Sequence, residues 1–183
     1  MDRTASFYRR RFRDKEATFN KPSQLPAYFA PLIGDKTSVR IAELGAGPVN
    51  TIGNFWPGAD VEIVASDVLQ PEYEGFWKEH RKTPIVPIEY QNFEGLTYQD
   101  ESFDIVHCRN ALDHTRNVAM AVSEMKRICK PGGWVFLAHA PGQKTKYGGG
   151  HYHDFETLIL PDFVTHTVAL DELIVCTWQK KDR

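Results

Sequence analysis

Five short apolar runs, each closed by a turn or a polar residue, limit this chain to few folds. They occupy residues 39–44, 61–66, 85–90, 103–108 and 134–138. Between the fourth and the fifth run, apolar residues recur at helical spacing, which predicts a helix over residues 118–129. Strands that alternate with helices predict a parallel sheet with right-handed crossovers.

The end of the chain has a different pattern. Two apolar stretches, residues 164–170 and 173–178, flank Asp171 and Glu172, which predicts a hairpin. With the five earlier runs, the hairpin brings the predicted total to seven strands. We therefore expect an α/β fold with a mostly parallel seven-stranded sheet and a C-terminal antiparallel hairpin.

The composition is that of an ordinary globular protein and argues against several functional classes. With 183 residues, 42% of them apolar, the chain has the size of one domain and can enclose a core. The formal net charge of -2 argues against a nucleic-acid partner, and no apolar run approaches the length of a membrane span. Three widely spaced cysteines, and an N-terminus without an apolar signal segment, favour a cytoplasmic protein.

The stretch AELGAGPVN, residues 42–50, follows the first predicted strand and has the glycines of a nucleotide-binding loop. Gly45 and Gly47 let the backbone approach a ligand closely. Asn50, however, stands where the third glycine of the dinucleotide fingerprint would fall. The carboxylate of Glu43 disfavours a pyrophosphate and suits a ligand that carries an ammonium group and hydroxyls.

Two more polar residues follow predicted strands at the same edge of the sheet. Asp67 ends the second strand and Asn92 lies just past the third. Open parallel sheets bind ligands at the carboxyl ends of their strands. Asp67 suits the ribose of a dinucleotide as well as that of another nucleoside cofactor. Glu43, the missing third glycine and the terminal hairpin together argue against a dinucleotide-dependent oxidoreductase.

Four segments along the chain carry a family pattern. They are the loop at residues 43–47, Asp67, the run LTYQDESFD at residues 96–104 and the run MKRICKPGG at residues 125–133. In this order they resemble the class I S-adenosylmethionine-dependent methyltransferases of the methyltransferase type 11 kind. The resemblance covers roughly residues 39–140. It implies a single Rossmann-like three-layer domain and S-adenosylmethionine as the cofactor.

The resemblance also implies which residues contact the cofactor. They are Glu43, Gly45, Ala46, Gly47, Asp67, Val68, Asn92, Phe93 and Arg109. In this scheme the glycine loop lines the methionine part of the cofactor. Glu43 holds the loop or the cofactor's amino group, and Asp67 binds the ribose hydroxyls.

The remaining implied roles concern the adenine and the sulfonium. Val68 packs on the adenine ring, and Phe93 flanks it. Asn92 replaces the family's usual aspartate and accepts from the adenine amino group through its amide oxygen. Arg109 approaches the sulfonium region through its backbone carbonyl. Pro48 departs from the family pattern and is expected at the first turn of a following helix.

Histidines after the fourth and fifth strands are the candidates for chemistry on the methyl acceptor. They are His114, His151 and His153. In-line methyl transfer needs a base only when the acceptor's proton must leave early. We expect His114 to be that base, oriented by Asp113, and the loop with His151 and His153 to close over the substrate. The alternatives are that Asp113 and His114 simply open the next helix and that the loop is solvated.

A metal site is a further alternative at the same loop. His151, His153 and Asp154, together with His139 just after the fifth strand, have the side-chain types of a zinc site. Loop histidines seldom converge without more cysteine or carboxylate support. We therefore expect no metal.

The first 38 residues differ from the rest, and we expect a helical cap segment at 1–38 before a methyltransferase-like domain at 39–183. Arginines are crowded among aromatic residues there, namely Arg9, Arg10, Arg11 and Arg13 with Phe7, Tyr8 and Phe12. A second short helix is expected over residues 25–33, closed by Gly34. The basic segment caps the cofactor cleft, attracts an acidic substrate or is a solvated amphipathic helix.

These patterns predict methyl transfer from S-adenosylmethionine to a small-molecule or saccharide-type, glycan-like acceptor. The residues after the fourth strand, RNAL at 109–112, lack the N-P-P-F/Y-like signature of amino methylation on nucleic-acid bases. We expect no nucleic-acid partner and no membrane association. The alternative is a protein of the same fold that binds S-adenosylmethionine or S-adenosylhomocysteine without catalysing transfer.

Overall fold

The structure of the protein is a computed structural model that describes residues 21–148, 150–158, 160–170 and 173–182. The predicted N-terminal helix, with its arginines, lies outside the described residues, as do Asp171 and Glu172 at the predicted hairpin turn. The division into a cap at 1–38 and a domain at 39–183 remains a prediction.

Seven strands form one sheet and confirm the predicted α/β class. They are β1 (Ser38–Leu44), β2 (Asp60–Ser66), β3 (Ile88–Glu89), β4 (Phe103–Arg109), β5 (Cys129–His139), β6 (Val164–Leu170) and β7 (Leu173–Gln179). Their order is β3-β2-β1-β4-β5-β7-β6. β2 is parallel to β1 and β3, β4 is parallel to β5, and β7 is antiparallel to β5 and β6. The sheet is therefore mostly parallel and Rossmann-like, and it ends in the predicted antiparallel hairpin.

Four α-helices lie within the described ranges. They are α1 (Ala30–Ile33), α2 (Gln70–His80), α3 (Val118–Ile128) and α4 (Gln143–Tyr147), with 3-10 turns at Ala27–Phe29, Leu112–His114 and Phe155–Thr157. α3 confirms the helix predicted from periodicity, and it begins where the Asn117 side chain accepts a hydrogen bond from the Met120 amide at 3.1 Å. None of the helices that the structure describes is long and apolar enough to cross a membrane.

The third strand is much shorter than predicted. The apolar run at residues 85–90 forms a strand only at Ile88–Glu89. Pro87, directly before this strand, has no amide hydrogen to donate to a neighbouring strand. Ile85 is accordingly exposed.

The connection from β1 to β2 also differs from the prediction, because the described residues 45–59 contain no helix. Instead of a helix after Pro48, the side chain of Asn50 builds a local turn. Its Oδ1 accepts from the Ile52 amide at 2.8 Å, and its Nδ2 donates to the Gly53 carbonyl at 2.8 Å. This side-chain turn competes with helical hydrogen bonds. Asn50 thus has a structural role at the position of the absent third glycine.

The chain divides into two compact units, residues 1–92 and 93–183. In the first, Ala46, Ala65, Val86 and Ile88 form a buried cluster against which Ile63 and Trp77 pack. In the second, α3 buries one face, made of Val118, Ala121, Val122, Met125 and Ile128.

Arg127 on α3 holds the segment that leads into β4. One guanidinium nitrogen donates to the Tyr98 carbonyl at 2.8 Å and to Asp100 at 2.7 Å, and the other donates to the Leu96 carbonyl at 2.9 Å. Glu124 on the same helix bonds both Arg127 and the Leu96 amide. The shape of this segment therefore depends on a planar, multiply bonded guanidinium.

Candidate functional site

The glycine loop is held on the end of β2 by its own amides. The Gly45 and Ala46 amides both donate to the Ser66 carbonyl, at 2.8 and 3.0 Å. Gly45 and Gly47 have φ values of 77° and 71°. These left-handed conformations favour glycine, so both glycines of the motif are needed for the backbone to turn here.

Asp67 fixes the other side of this loop. Its buried carboxylate accepts from the Gly47 amide at 2.9 Å and, through the other oxygen, from the Leu69 amide at 2.8 Å. The Tyr73 hydroxyl is 3.4 Å from that second oxygen. Asp67 therefore orders the loop from the end of β2. Its predicted contact with the ribose hydroxyls stays a prediction.

Glu43, at the end of β1, is a buried carboxyl whose only hydrogen-bond contacts among the described residues are two long ones with Thr51. Only 3% of the residue is exposed. Its Oε1 lies 3.4 Å from the Thr51 amide and 3.5 Å from the Thr51 hydroxyl. Its Oε2 has no hydrogen-bond partner among the described residues. Burial raises the pKa of Glu43 to about 8, against the lowering effect of Thr51.

This orphaned oxygen is the observation that fits the cofactor. A buried polar atom without a partner costs free energy, and a ligand ammonium group would restore the missing interaction. Val68, nearly half exposed beside Asp67, offers an apolar surface of the kind that a flat ring covers. Glu43 and Val68 in the first unit therefore fit the methionine and nucleoside parts of S-adenosylmethionine.

Three further residues are predicted to contact the cofactor, namely Asn92, Phe93 and Arg109. Asn92 is exposed at the end of the first unit. In the second unit, Phe93 is buried and Arg109, at the end of β4, is half-buried. Their predicted contacts with adenine and the sulfonium region stay predictions.

Trp77 is a loop-holding residue that the sequence did not reveal. Its indole N–H, on α2, donates to the Pro48 carbonyl at 2.9 Å. The two residues are 29 positions apart, and no local pattern links them. Only the packing of α2 beside the loop brings them together.

A second group of polar side chains gathers after β4 in the second unit. His151 Nδ1 donates to Asp113 Oδ2 at 2.6 Å, and His114 Nδ1 donates to the Gly150 carbonyl at 2.8 Å. The rings of His114 and His151 are 4.2 Å apart between centroids. The structure thus brings two of the three predicted catalytic histidines together. Asp113, however, orients His151 rather than His114, which differs from the expectation.

The loop that carries His151 and His153, residues 150–153, forms hydrogen bonds with the rest of the protein and is not merely solvated. His153 Nε2 donates to the Thr115 carbonyl at 3.0 Å, and the Tyr152 amide donates to the Asp113 carbonyl at 2.7 Å. Asp113 and His114 do not begin the following helix, because Asn117 caps it instead. Asp113 and His114 therefore do not open the next helix. Residues 150–153 pack on residues 113–115 through specific hydrogen bonds.

Asp154 and His139 have surroundings that differ from those expected for ligands of one ion. Asp154 accepts from the Thr145 hydroxyl at 2.6 Å and from the Lys144 amide at 2.9 Å. His139 is buried against Phe155, with ring centroids 4.3 Å apart, and neither of its nitrogens has a partner among the described residues. Burial lowers the pKa of His139 to about 4.

Known proteins resemble this chain in sequence and in structure. Residues 42–137, just over half of the chain, match a family model described as a methyltransferase domain. The uncharacterized methyltransferase YcgJ of Bacillus subtilis is 29% identical over 129 residues, which are 69% of this chain and 46% of the relative. A ubiquinone biosynthesis O-methyltransferase of Paraburkholderia phymatum is 28% identical over 106 residues, covering 56% of this chain and 44% of the relative. The chain therefore spans less than half the length of these relatives.

Solved structures share the fold. A SAM-dependent methyltransferase from Aquifex aeolicus superposes with a TM-score of 0.60 at 14% identity, covering 97% of both chains. A putative S-adenosyl-L-methionine-dependent methyltransferase from Methanococcus maripaludis gives 0.59 at 14% identity, over 100% of this chain and 96% of the other. At this identity the likeness concerns the fold alone.

Proposed function

The chain belongs to the methyltransferase domain family, and we propose that it transfers a methyl group from S-adenosylmethionine to a hydroxyl of a small-molecule or glycan-like acceptor. The family match and the structural neighbours indicate S-adenosylmethionine as the cofactor. The observation that carries the proposal is Glu43, a buried carboxyl with an unpartnered oxygen at the end of β1. The hydroxyl acceptor is supported by the relatives named as ubiquinone biosynthesis O-methyltransferases.

The first unit would hold the cofactor. Glu43 would bind its ammonium group, the backbone at Gly45 and Gly47 would admit its methionine part, and Asp67 would bind the ribose. Val68 would cover one face of the adenine. When bound, S-adenosylmethionine supplies a sulfonium methyl group that an acceptor oxygen attacks in line.

The cluster formed by Asp113, His114 and His151 would act on the acceptor. Because His151 Nδ1 carries the proton donated to Asp113, its Nε2 keeps a lone pair and can take a proton from a hydroxyl. The Asp113 carboxylate stabilises the imidazolium that forms. We assign His114 to accept a hydrogen bond from the acceptor through its own Nε2, since its Nδ1 is bonded to Gly150. His153 is a positioning residue that fixes the loop on Thr115.

Calorimetry tests the cofactor half of the proposal. Titration with S-adenosylmethionine should give saturable binding with one site per chain, whereas NAD should give none. Saturable NAD binding without S-adenosylmethionine binding would refute the assignment and favour an oxidoreductase.

A panel of phenols and monosaccharides tests the acceptor half, with release of S-adenosylhomocysteine as the readout. On any accepted substrate, His151→Gln should lower kcat by about 10²–10⁴-fold and leave the Kd for S-adenosylmethionine unchanged. His166→Gln, a histidine bonded to Thr177 in the terminal hairpin, is the matched control and should behave as wild type. Full activity in His151→Gln would refute the base. Cofactor binding without turnover across the panel would favour the non-catalytic alternative.

A further inference from the structure

We infer that Asp113, His114 and His151 form a binding site for a divalent transition-metal ion of the Zn²⁺ type. Each of the three side chains offers one ligand atom, and these atoms lie within 4.8 Å of one another. The site differs from the metal site considered from the sequence, because it takes Asp113 and His114 in place of His139, His153 and Asp154. It also departs from the expectation that the protein binds no metal.

The spacing suits coordination after only small side-chain movements. With Zn–N bonds of about 2.0–2.1 Å, tetrahedral ligand atoms are about 3.3 Å apart. The His114 and His151 rings already face each other at 4.2 Å, with 40° between their planes. Coordination of one ion by all three replaces the hydrogen bond between His151 Nδ1 and Asp113 Oδ2, and the donor atoms approach one another by up to about 1.5 Å.

The Asp113 carboxylate supplies an independent sign of a missing ligand. Its side chain is only 3% exposed. Oδ2 accepts from His151, but Oδ1 is buried and has no hydrogen-bond partner among the described residues. A buried carboxylate oxygen without a partner is costly, and a cation is the group that would satisfy it. His151, with 20% of its side chain exposed, leaves a route from solvent to the site.

The backbone orients the ligands as metal sites require. In metalloproteins a ligating histidine donates its other ring N–H to a carbonyl or a carboxylate, which fixes the tautomer and the ring orientation. His114 does so here, because its Nδ1 donates to the Gly150 carbonyl at 2.8 Å and leaves Nε2 as the ligand atom. The Tyr152 amide, bonded to the Asp113 carbonyl at 2.7 Å, keeps the His151 segment against the carboxylate.

Ligand chemistry selects the class of ion. Two imidazoles and one carboxylate match the three-ligand sites that bind Zn²⁺ with one open position. Mg²⁺ and Ca²⁺ prefer oxygen ligands and would bind poorly here. The inference goes beyond the proposed methyl transfer. A bound ion uses the His151 lone pair that would otherwise take a proton, so metal binding and proton transfer at His151 exclude each other.

Titration of the EDTA-treated full chain with Zn²⁺ and with Co²⁺ tests the site. Calorimetry should show one Zn²⁺ per chain, and Co²⁺ should develop the visible absorption of a low-coordinate histidine site, whereas Mg²⁺ should give neither signal. His114→Gln, His151→Gln and Asp113→Asn should each weaken Zn²⁺ binding by at least about 100-fold, more than the typical loss of an outer-shell partner. His166→Gln should bind as wild type does. Thermal melts identify any variant that fails to fold, and Asp113→Asn, which keeps the side-chain shape, provides the second test.

Two results would overturn the inference. One is the absence of single-site Zn²⁺ binding by the wild type, and the other is wild-type affinity in folded His114→Gln or His151→Gln. S-adenosylmethionine binding measured on the same samples separates the two proposals. If the wild type binds S-adenosylmethionine but not Zn²⁺, only the metal-site inference is refuted. If it binds Zn²⁺ but not S-adenosylmethionine, only the proposed methyl transfer is refuted.

Discussion

A Glu43→Gln variant tests whether the buried carboxyl recognises the ammonium group of the cofactor. Because the pKa of Glu43 is raised to about 8, the side chain is almost wholly protonated at pH 6.5 in the cofactor-free protein. An α-amino group with a pKa of about 8 is still charged at this pH. Pairing with that group ionises Glu43, so wild-type binding at pH 6.5 should release about one proton. The affinity should rise by about tenfold between pH 6 and pH 7.

Calorimetry of S-adenosylmethionine binding in buffers of different ionisation enthalpy measures this proton release. The Glu43→Gln variant should bind more weakly and release no proton. Glu62→Gln is the matched control, because Glu62 is an exposed carboxylate paired with Arg40 at 3.0 Å, and it should release the wild-type number. The reasoning fails if the wild type releases no proton, or if the Glu43→Gln variant releases as many as the wild type.

The same substitution should have the opposite effect on the stability of the cofactor-free protein. Since the folded pKa of Glu43, about 8, lies above its ordinary value of 4.5, its contribution is fully present below pH 4.5 and is lost as pH rises through 8. The two pKa values correspond to a loss of about 5 kcal/mol at most. Glu43→Gln avoids this loss, so urea denaturation should show the variant gaining on wild type from pH 5 to pH 9. An equal pH dependence for both proteins would contradict the assigned pKa.

Three further substitutions test other parts of the structure. Gly47→Ala places a side chain at a φ of 71°. The substitution should lower the free energy of unfolding, measured by urea denaturation, by about 1–2 kcal/mol, and it should weaken S-adenosylmethionine binding. Unchanged binding would argue against a role of the glycine loop in holding the cofactor. Arg127→Lys loses the bonds to the Leu96 and Tyr98 carbonyls and should cost about 1–3 kcal/mol, whereas a neutral result would show that water replaces them. His139 has a folded pKa of about 4, below its ordinary 6.5, so its contribution is present above pH 6.5 and lost as pH falls towards 4. Thermal melts should therefore show His139→Leu losing less stability than wild type between pH 7 and pH 4.5, and equal losses would refute the assignment.

The elements that sequence predicted well are those fixed by local pattern. β1, β2 and α3 follow from apolar periodicity over a few turns or residue pairs, and the terminal hairpin follows from two runs around a short turn. The glycine positions were also readable, because a left-handed φ leaves few other choices.

The parts that sequence missed depend on contacts between distant residues or on competing turn chemistry. The pairing of Asp113 with His151 joins residues 38 positions apart, and the expectation had given Asp113 to its neighbour His114. The family resemblance implies a helix after Pro48, and the described residues 45–59 contain none. The Asn50 side chain binds the backbone there and supports a turn instead.

The hydrogen bond from the Trp77 indole to the Pro48 carbonyl gives the protein a built-in optical signal. Indole emission responds to hydrogen bonding and polarity at the ring, and this ring is anchored to the segment that follows the glycine loop. The other tryptophans are Trp56, Trp134 and Trp178. In a Trp56→Phe, Trp134→Phe, Trp178→Phe protein, all tryptophan emission comes from the one indole that is tied to the loop. Occupancy of the loop can then be followed by fluorescence in real time, without a label and before any acceptor is known.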